Sequence, residues 1–158
     1  MMSQLDIQSL FTVNEVEISY RNKTPYQDRI QITRSATAYE ILRQAWDENK
    51  LELLEQFKIL LLDRKNNCLA VSDIATGGMA VCIVDPKVIF VTALKANASG
   101  IILAHNHPSG NLQPSDQNLV LTRKLSEAGK LLVITILDHL IVTPRNYFSF
   151  ADAGCMPR

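Results

Sequence analysis

Cysteine is scarce in this chain of 158 residues. Cys68, Cys82 and Cys155 are odd in number, far apart and without a CxxC pair, which excludes a disulfide framework and a four-cysteine metal cluster. A reducing compartment follows, so the expected location is the cytoplasm. Charge of one sign is missing as well. Sixteen Lys plus Arg balance sixteen Asp plus Glu, so no nucleic-acid partner held by bulk electrostatics is expected, although the balance leaves room for a local basic patch. The apolar runs reach only five to eight residues, far below the roughly 20 that a membrane-spanning helix needs. Met1 to Leu10 carries Asp6 and lacks a basic segment followed by an apolar one, so neither a secretory signal nor a membrane association is expected. Gly77-Gly78 stands outside any GxGxxG pattern and reads as a turn, not a phosphate cradle. Repeats, low-complexity tracts and Gly/Ser/Pro-rich linkers are all absent. What is present is 47% hydrophobic residues, enough for a packed core in a chain of ordinary single-domain length.

The chain is expected to divide into an extension over residues 1–50, a main domain over 51–154 and a tail over 155–158. In the extension, Val13 to Tyr20 alternates apolar and polar residues, the period of a half-buried strand. A turn at Arg21 to Pro25 leads to a second strand over Arg29 to Thr33. Ser35 is placed to cap a helix from Ala36 to Glu48, with Tyr39, Leu42 and Trp46 on one face. Beyond residue 50, Phe57 to Leu62, Gly100 to Ala104 and Leu131 to Leu137 are nearly continuous apolar runs, which suit strands buried on both faces. Cys68 to Ile74 reads as a hairpin partner of the first run, and Val81 to Val84 as another short strand. Asp85-Pro86 opens a helix to about Asn97, and Pro114-Ser115 opens one that stops at Gly129. Leu140 to Thr143 and Tyr147 to Phe150 read as a last strand pair. The expected class is α/β, a mixed sheet with helices on its faces.

Chemistry concentrates in Ala104-His105-Asn106-His107-Pro108-Ser109-Gly110. Residues i and i+2 of a strand point to the same face, so His105 and His107 can converge on one metal ion while Asn106 faces away. Pro108 ends the strand and Gly110 permits a turn. Ser115 then caps the next helix, with Asn118 in its first turn. A third oxygen from that turn would leave one position open for water, the arrangement of a catalytic zinc site. A bare His-x-His is weak evidence by itself, since two polar residues at a strand end give the same pattern.

The wider pattern resembles a known family. His-x-His, seven residues, Ser, two residues and then Asp is the JAMM (MPN-plus) metallopeptidase motif, and His105 to Gly110 with Pro114-Ser115 is similar to the RadC family in particular. Phe57 to Asn66, Asp85-Pro86-Lys87, Ala93 to Ala98, Leu137-Asp138-His139 and Tyr147 to Asp152 share the likeness. The resemblance implies a cytidine-deaminase-like (JAB/MPN) three-layer α/β fold and a Zn2+ ion held by His105, His107 and residue 118. It also implies a catalytic glutamate, matched by Glu55, with Glu52 as a neighbouring candidate. In the implied chemistry Glu55 moves a proton from a zinc-activated water to the leaving amine, and Ser115 donates to the oxyanion. The deaminase signature, His-x-Glu with Pro-Cys-x-x-Cys, does not occur.

One position departs from the pattern. Residue 118 is Asn where the motif has Asp, and a neutral carbonyl oxygen does nothing to offset a dication. Asp116 is two residues away, a rotation of roughly 200° along a helix, so it is expected to point away from the metal and to interact with the helix dipole. Three readings stay open: weaker but competent zinc binding, a metal-poor relative used for binding, or an isolated variant of an active lineage. The candidate functions are a zinc metallopeptidase acting on an unidentified peptide or protein, a non-catalytic interaction module, and a DNA-repair role suggested only by the family's name. Sequence leaves the oligomeric state open. His139 is expected near the site without a role as ligand.

Overall fold

Residues 17–78 and 82–158 are described by the computed structural model. Five strands form one mixed sheet: β1 (Gln56–Leu62), β2 (Cys68–Thr76), β3 (Gly100–Asn106), β4 (Thr135–Val142) and β5 (Tyr147–Ser149). Their spatial order is β2-β1-β3-β4-β5. Only the β3–β4 pair is parallel, and it is the pair joined through a helix, because a parallel partner requires a crossover. The helices are α1 (Ser35–Ala45), α2 (Pro86–Lys95) and α3 (Asp116–Leu131).

Side-chain alternation along the central strands builds two cores. Leu60 and Leu62 of β1 and Ile102 and Ala104 of β3 pack with Ala38, Leu42 and Trp46 from α1 and its end. Phe57, Ile59, Leu61, Ile101 and Leu103 point the other way, onto Ile89, Phe90 and Ala93 of α2 and Leu125 of α3. Strands covered on both faces carry no polar alternation, which is why β1 and β3 read as continuous apolar runs. The result is the three-layer α/β arrangement expected from the sequence. Among the described residues no helix is long and apolar enough to cross a membrane.

Several element boundaries differ from expectation. The run Leu131 to Leu137 is not one buried strand. It crosses the end of α3 and a turn at Val133, whose φ is +57°, and only then enters β4. Leu131 and Val133 are 86% and 85% exposed. A short apolar run carries no period, so it cannot separate a helix end from a strand start. The two strands expected around Leu137 and Leu140 are one continuous β4. Arg29 to Thr33 contributes a single isolated bridge, Gln31 to Asn67. Glu17 to Tyr20 carries no regular structure, and the remainder of the strand expected over Val13 to Tyr20 lies outside the described residues. Cys82 to Val84 is likewise irregular, and Val81 lies outside them. α1 starts at Ser35 itself, with Arg34 at the N-cap and no capping side chain. The Ser35 hydroxyl is engaged elsewhere, by the Tyr147 hydroxyl at 2.9 Å and by Asp152.

Candidate metal centre

β3 pairs with β1 on one side and β4 on the other, and its C-terminal end delivers His105 to the α3 face. The His105 and His107 Nε2 atoms lie 2.9 Å apart. His107 Nδ1 lies 2.6 Å from the Asn111 carbonyl. A carbonyl only accepts, so Nδ1 carries the proton and Nε2 of a neutral His107 is a lone pair. The loop that makes this contact turns at Gly110, whose φ of +80° favours glycine, and whose N–H bonds the His107 carbonyl at 2.9 Å.

α3 begins beside this loop. Ser115 and Asn118 form a reciprocal capping box: the Asn118 N–H donates to Ser115 Oγ at 3.1 Å, and the Ser115 N–H donates to Asn118 Oδ1 at 2.8 Å. Asn118 therefore already uses its side-chain oxygen. Glu55 arrives from the segment before β1. Glu55, Cys82, His107, Ser115 and Asn118 all line one cleft of about 500 Å³. Asp116 lies outside that cleft, in a groove on the outer face of α3. Burial raises the Glu55 carboxyl above its usual range, opposed by attraction to His107. Burial also raises the Cys82 thiol, and the neighbouring Glu55 adds to the effect.

Behind the histidine pair lies a third imidazole. His139 of β4 is fully buried. Its Nε2 is 2.8 Å from His105 Nδ1, and its Nδ1 is 2.7 Å from Thr122 Oγ1. Burial lowers His105 well below the usual histidine range, with His139 and then His107 adding to it. Burial, helped by His107, pushes His139 down to about 3. Phe57 lies parallel to His105 at 6.2 Å, and Phe150 stacks on His139 at 4.6 Å.

The donor set fits a divalent ion in part. Two imidazole nitrogens on one tetrahedral zinc, bonded at about 2.0–2.1 Å, stand roughly 3.3 Å apart, so the 2.9 Å pair needs only slight splaying. Asn118 could add one neutral oxygen, through its second lone pair or by releasing the cap. Among the described residues no three His, Cys, Asp or Glu side chains converge to hold a metal. His139 does not complete the set because it stands behind His105.

A family model for the RadC-like JAB domain matches residues 32–155. The chain belongs to the RadC-like JAB domain family. Its relatives include "UPF0758" proteins of Syntrophomonas wolfei, 41% identical over 130 residues, and of Flavobacterium johnsoniae, 40% identical over 124. These alignments cover 79% and 78% of this chain and 55% and 53% of the relatives. A Thermotoga maritima "UPF0758" protein is 40% identical over 100 residues, covering 63% of this chain and 45% of its own length. The chain thus spans about half the length of the curated relatives it matches. The RadC-like match begins at Ile32, just before α1, whose apolar side completes one of the two cores.

Three residues that shape the RadC-like site, Asn106, Thr122 and Cys82, were given no role there by sequence, and His139 was placed near it without one. Asn106, facing away from the histidines, is fully buried. It accepts from the Gln56 N–H at 2.7 Å and donates to the Leu51 and Leu54 carbonyls at 2.8 Å each, which clamps the segment bearing Glu55. Its place inside His-x-His, on the face opposite the ligands, was the available signal. Thr122 and Cys82 had no signal, since only the fold brings them to the site. His139 had one, the likeness of Leu137-Asp138-His139 to the RadC pattern, and a histidine buried beside Leu140 to Val142 must find buried partners.

Proposed function

We propose that this RadC-like domain is a zinc-dependent hydrolase of peptide or isopeptide bonds. The observation that carries the reading is the approach of His105 and His107 Nε2 to 2.9 Å at a cleft also lined by Glu55, Ser115 and Asn118. His105, His107 and the Asn118 oxygen would hold the ion, which would supply Lewis acidity and a water of lowered pKa. Glu55 suits proton transfer, because burial raises its carboxyl above the usual range and so makes it a stronger base than an ordinary carboxylate. Its role is to accept a proton from the attacking water and pass it to the leaving amine. Ser115 Oγ accepts the Asn118 N–H and keeps its own proton for the oxyanion that develops in the cleft.

The capping role of Asn118 favours a second reading, a non-catalytic interaction module. An amide that caps α3 has no charge to attract a dication and loses a hydrogen bond if it turns to the metal. Metal content of the purified protein separates the two. About one zinc per chain, lost in His107→Ala, supports the hydrolase. No zinc in the wild type, with zinc gained in Asn118→Asp, supports the module. Neither protein holding zinc would overturn the metal site altogether.

A further inference from the structure

Proton bookkeeping around His139 yields one more assignment. Thr122 Oγ1 has a single proton, and it donates to the Asn118 carbonyl one turn back in α3 at 2.7 Å. The same oxygen can therefore only accept from His139 Nδ1, 2.7 Å away. With its proton on Nδ1, the buried neutral His139 presents a bare Nε2. That atom accepts from His105 Nδ1–H at 2.8 Å. His105 is then left with a bare Nε2, facing the lone pair of His107. Two facing lone pairs repel unless a cation, a metal ion or a proton, lies between them.

We infer that His139 and Thr122 are positioning residues: Thr122 sets the tautomer of His139, and His139 sets that of His105, so that a ligand nitrogen is always presented bare to the cleft. The consequence for metal binding rests on the zinc reading above; the tautomer assignment does not. Metal-binding histidines generally donate their second N–H to a fixed acceptor, whose loss weakens metal binding about 10–100-fold. Here the acceptor is itself a histidine, which could adopt the wrong tautomer if Thr122 did not prevent it. The chain also returns to α3 through the Asn118 carbonyl, so it ties β3, β4 and the start of α3 into one unit.

The test uses Thr122→Val, Thr122→Ser and His139→Leu in the full chain. Nitrogen-15 spectra of the zinc-free proteins report the His105 tautomer, and chelator competition reports zinc affinity. Wild type and Thr122→Ser should show His105 protonated at Nδ1. Thr122→Val frees His139 to move its proton to Nε2, which forces His105 to protonate its own Nε2; zinc affinity should fall about 10–100-fold. His139→Leu should lose at least as much affinity, and the two Thr122 variants decide the matter if that variant does not fold. Nε2–H at His105 in the wild type would overturn the assignment, as would Thr122→Val with unchanged tautomer and affinity. A wild type that binds no zinc yet switches tautomer in Thr122→Val would sink the hydrolase and leave the positioning chain standing.

Discussion

Asn118 and Asn106 are both single amides with opposite consequences. Asn118 stands where a carboxylate would neutralise part of a bound dication, so Asn118→Asp should tighten zinc. An aspartate also remains a good partner for the Ser115 N–H, so the cap should survive the change. Unchanged zinc affinity in Asn118→Asp would show that charge at this position does not limit binding. Asn106 is fully buried, and it satisfies one backbone N–H and two backbone carbonyls inside the protein. Asn106→Leu leaves all three without partners, and orphaned buried groups cost about 1–3 kcal/mol each. Some relaxation is expected, so urea unfolding should report a loss of about 3 kcal/mol. On the proposed hydrolase reading, activity should fall further than stability alone explains, because the segment holding Glu55 is released. An unaltered urea midpoint would show that the clamp is dispensable.

Helix α3 is the element on which stability and site are hardest to separate. Its first turn carries the capping box, and Ser115→Ala should cost about 1 kcal/mol through the lost cap alone. Any rate effect of that variant must therefore be measured well below its unfolding temperature. Near the other end, Gly129 lies against the chain that enters β4. A Cβ added there would stand 2.3 Å from the Ile134 carbonyl oxygen, a backbone atom that cannot swing aside. Gly129→Ala should destabilise by about 1–3 kcal/mol, the usual cost of overpacking, despite alanine's better helix propensity. Thermal denaturation checks this, and an increase in Tm would contradict the close approach. α3 runs past the glycine to Leu131, and the left-handed residue beyond its end is Val133: Gly129 is there for packing, not as the stop signal its position in the sequence suggests.

The molecule as a whole carries a pH dependence set by its buried imidazoles. His139 stays neutral in the fold down to about pH 3, because of burial and then His107, whereas in the unfolded chain it titrates near 6.5. Above 6.5 neither state is protonated and stability is complete. As pH falls below 6.5, the unfolded chain takes up a proton that the fold refuses, so stability declines until about pH 3. His105 is shifted in the same direction. Each such proton contributes a slope of at most about 1.4 kcal/mol per pH unit. Glu55 and Asp138, both raised by burial, act with the opposite sign at lower pH, since the fold then holds the extra proton. Zinc-free protein should therefore lose about 1–3 kcal/mol between pH 7.5 and 5.5 in urea titrations. Identical midpoints at the two values would contradict the buried neutral pair.

Periodicity and spacing in the sequence determined the layers and the pairing of His105 with His107. Both follow from rules that act within a few residues: alternation along a strand, and the turn forced by Pro108 and Gly110. The likeness to RadC proteins also pointed to Glu55, Ser115 and position 118, which line one cleft in the fold. Local rules could not show that Leu131 to Leu137 changes from helix to strand at Val133, because an apolar run has no period until a partner defines its buried side. Nor could they show that Asn106 clamps the Glu55 segment, or that Thr122 and His139 stand behind His105. Those contacts join residues 17 to 55 positions apart, and only tertiary packing, by removing water from every alternative partner, decides which buried donor meets which acceptor.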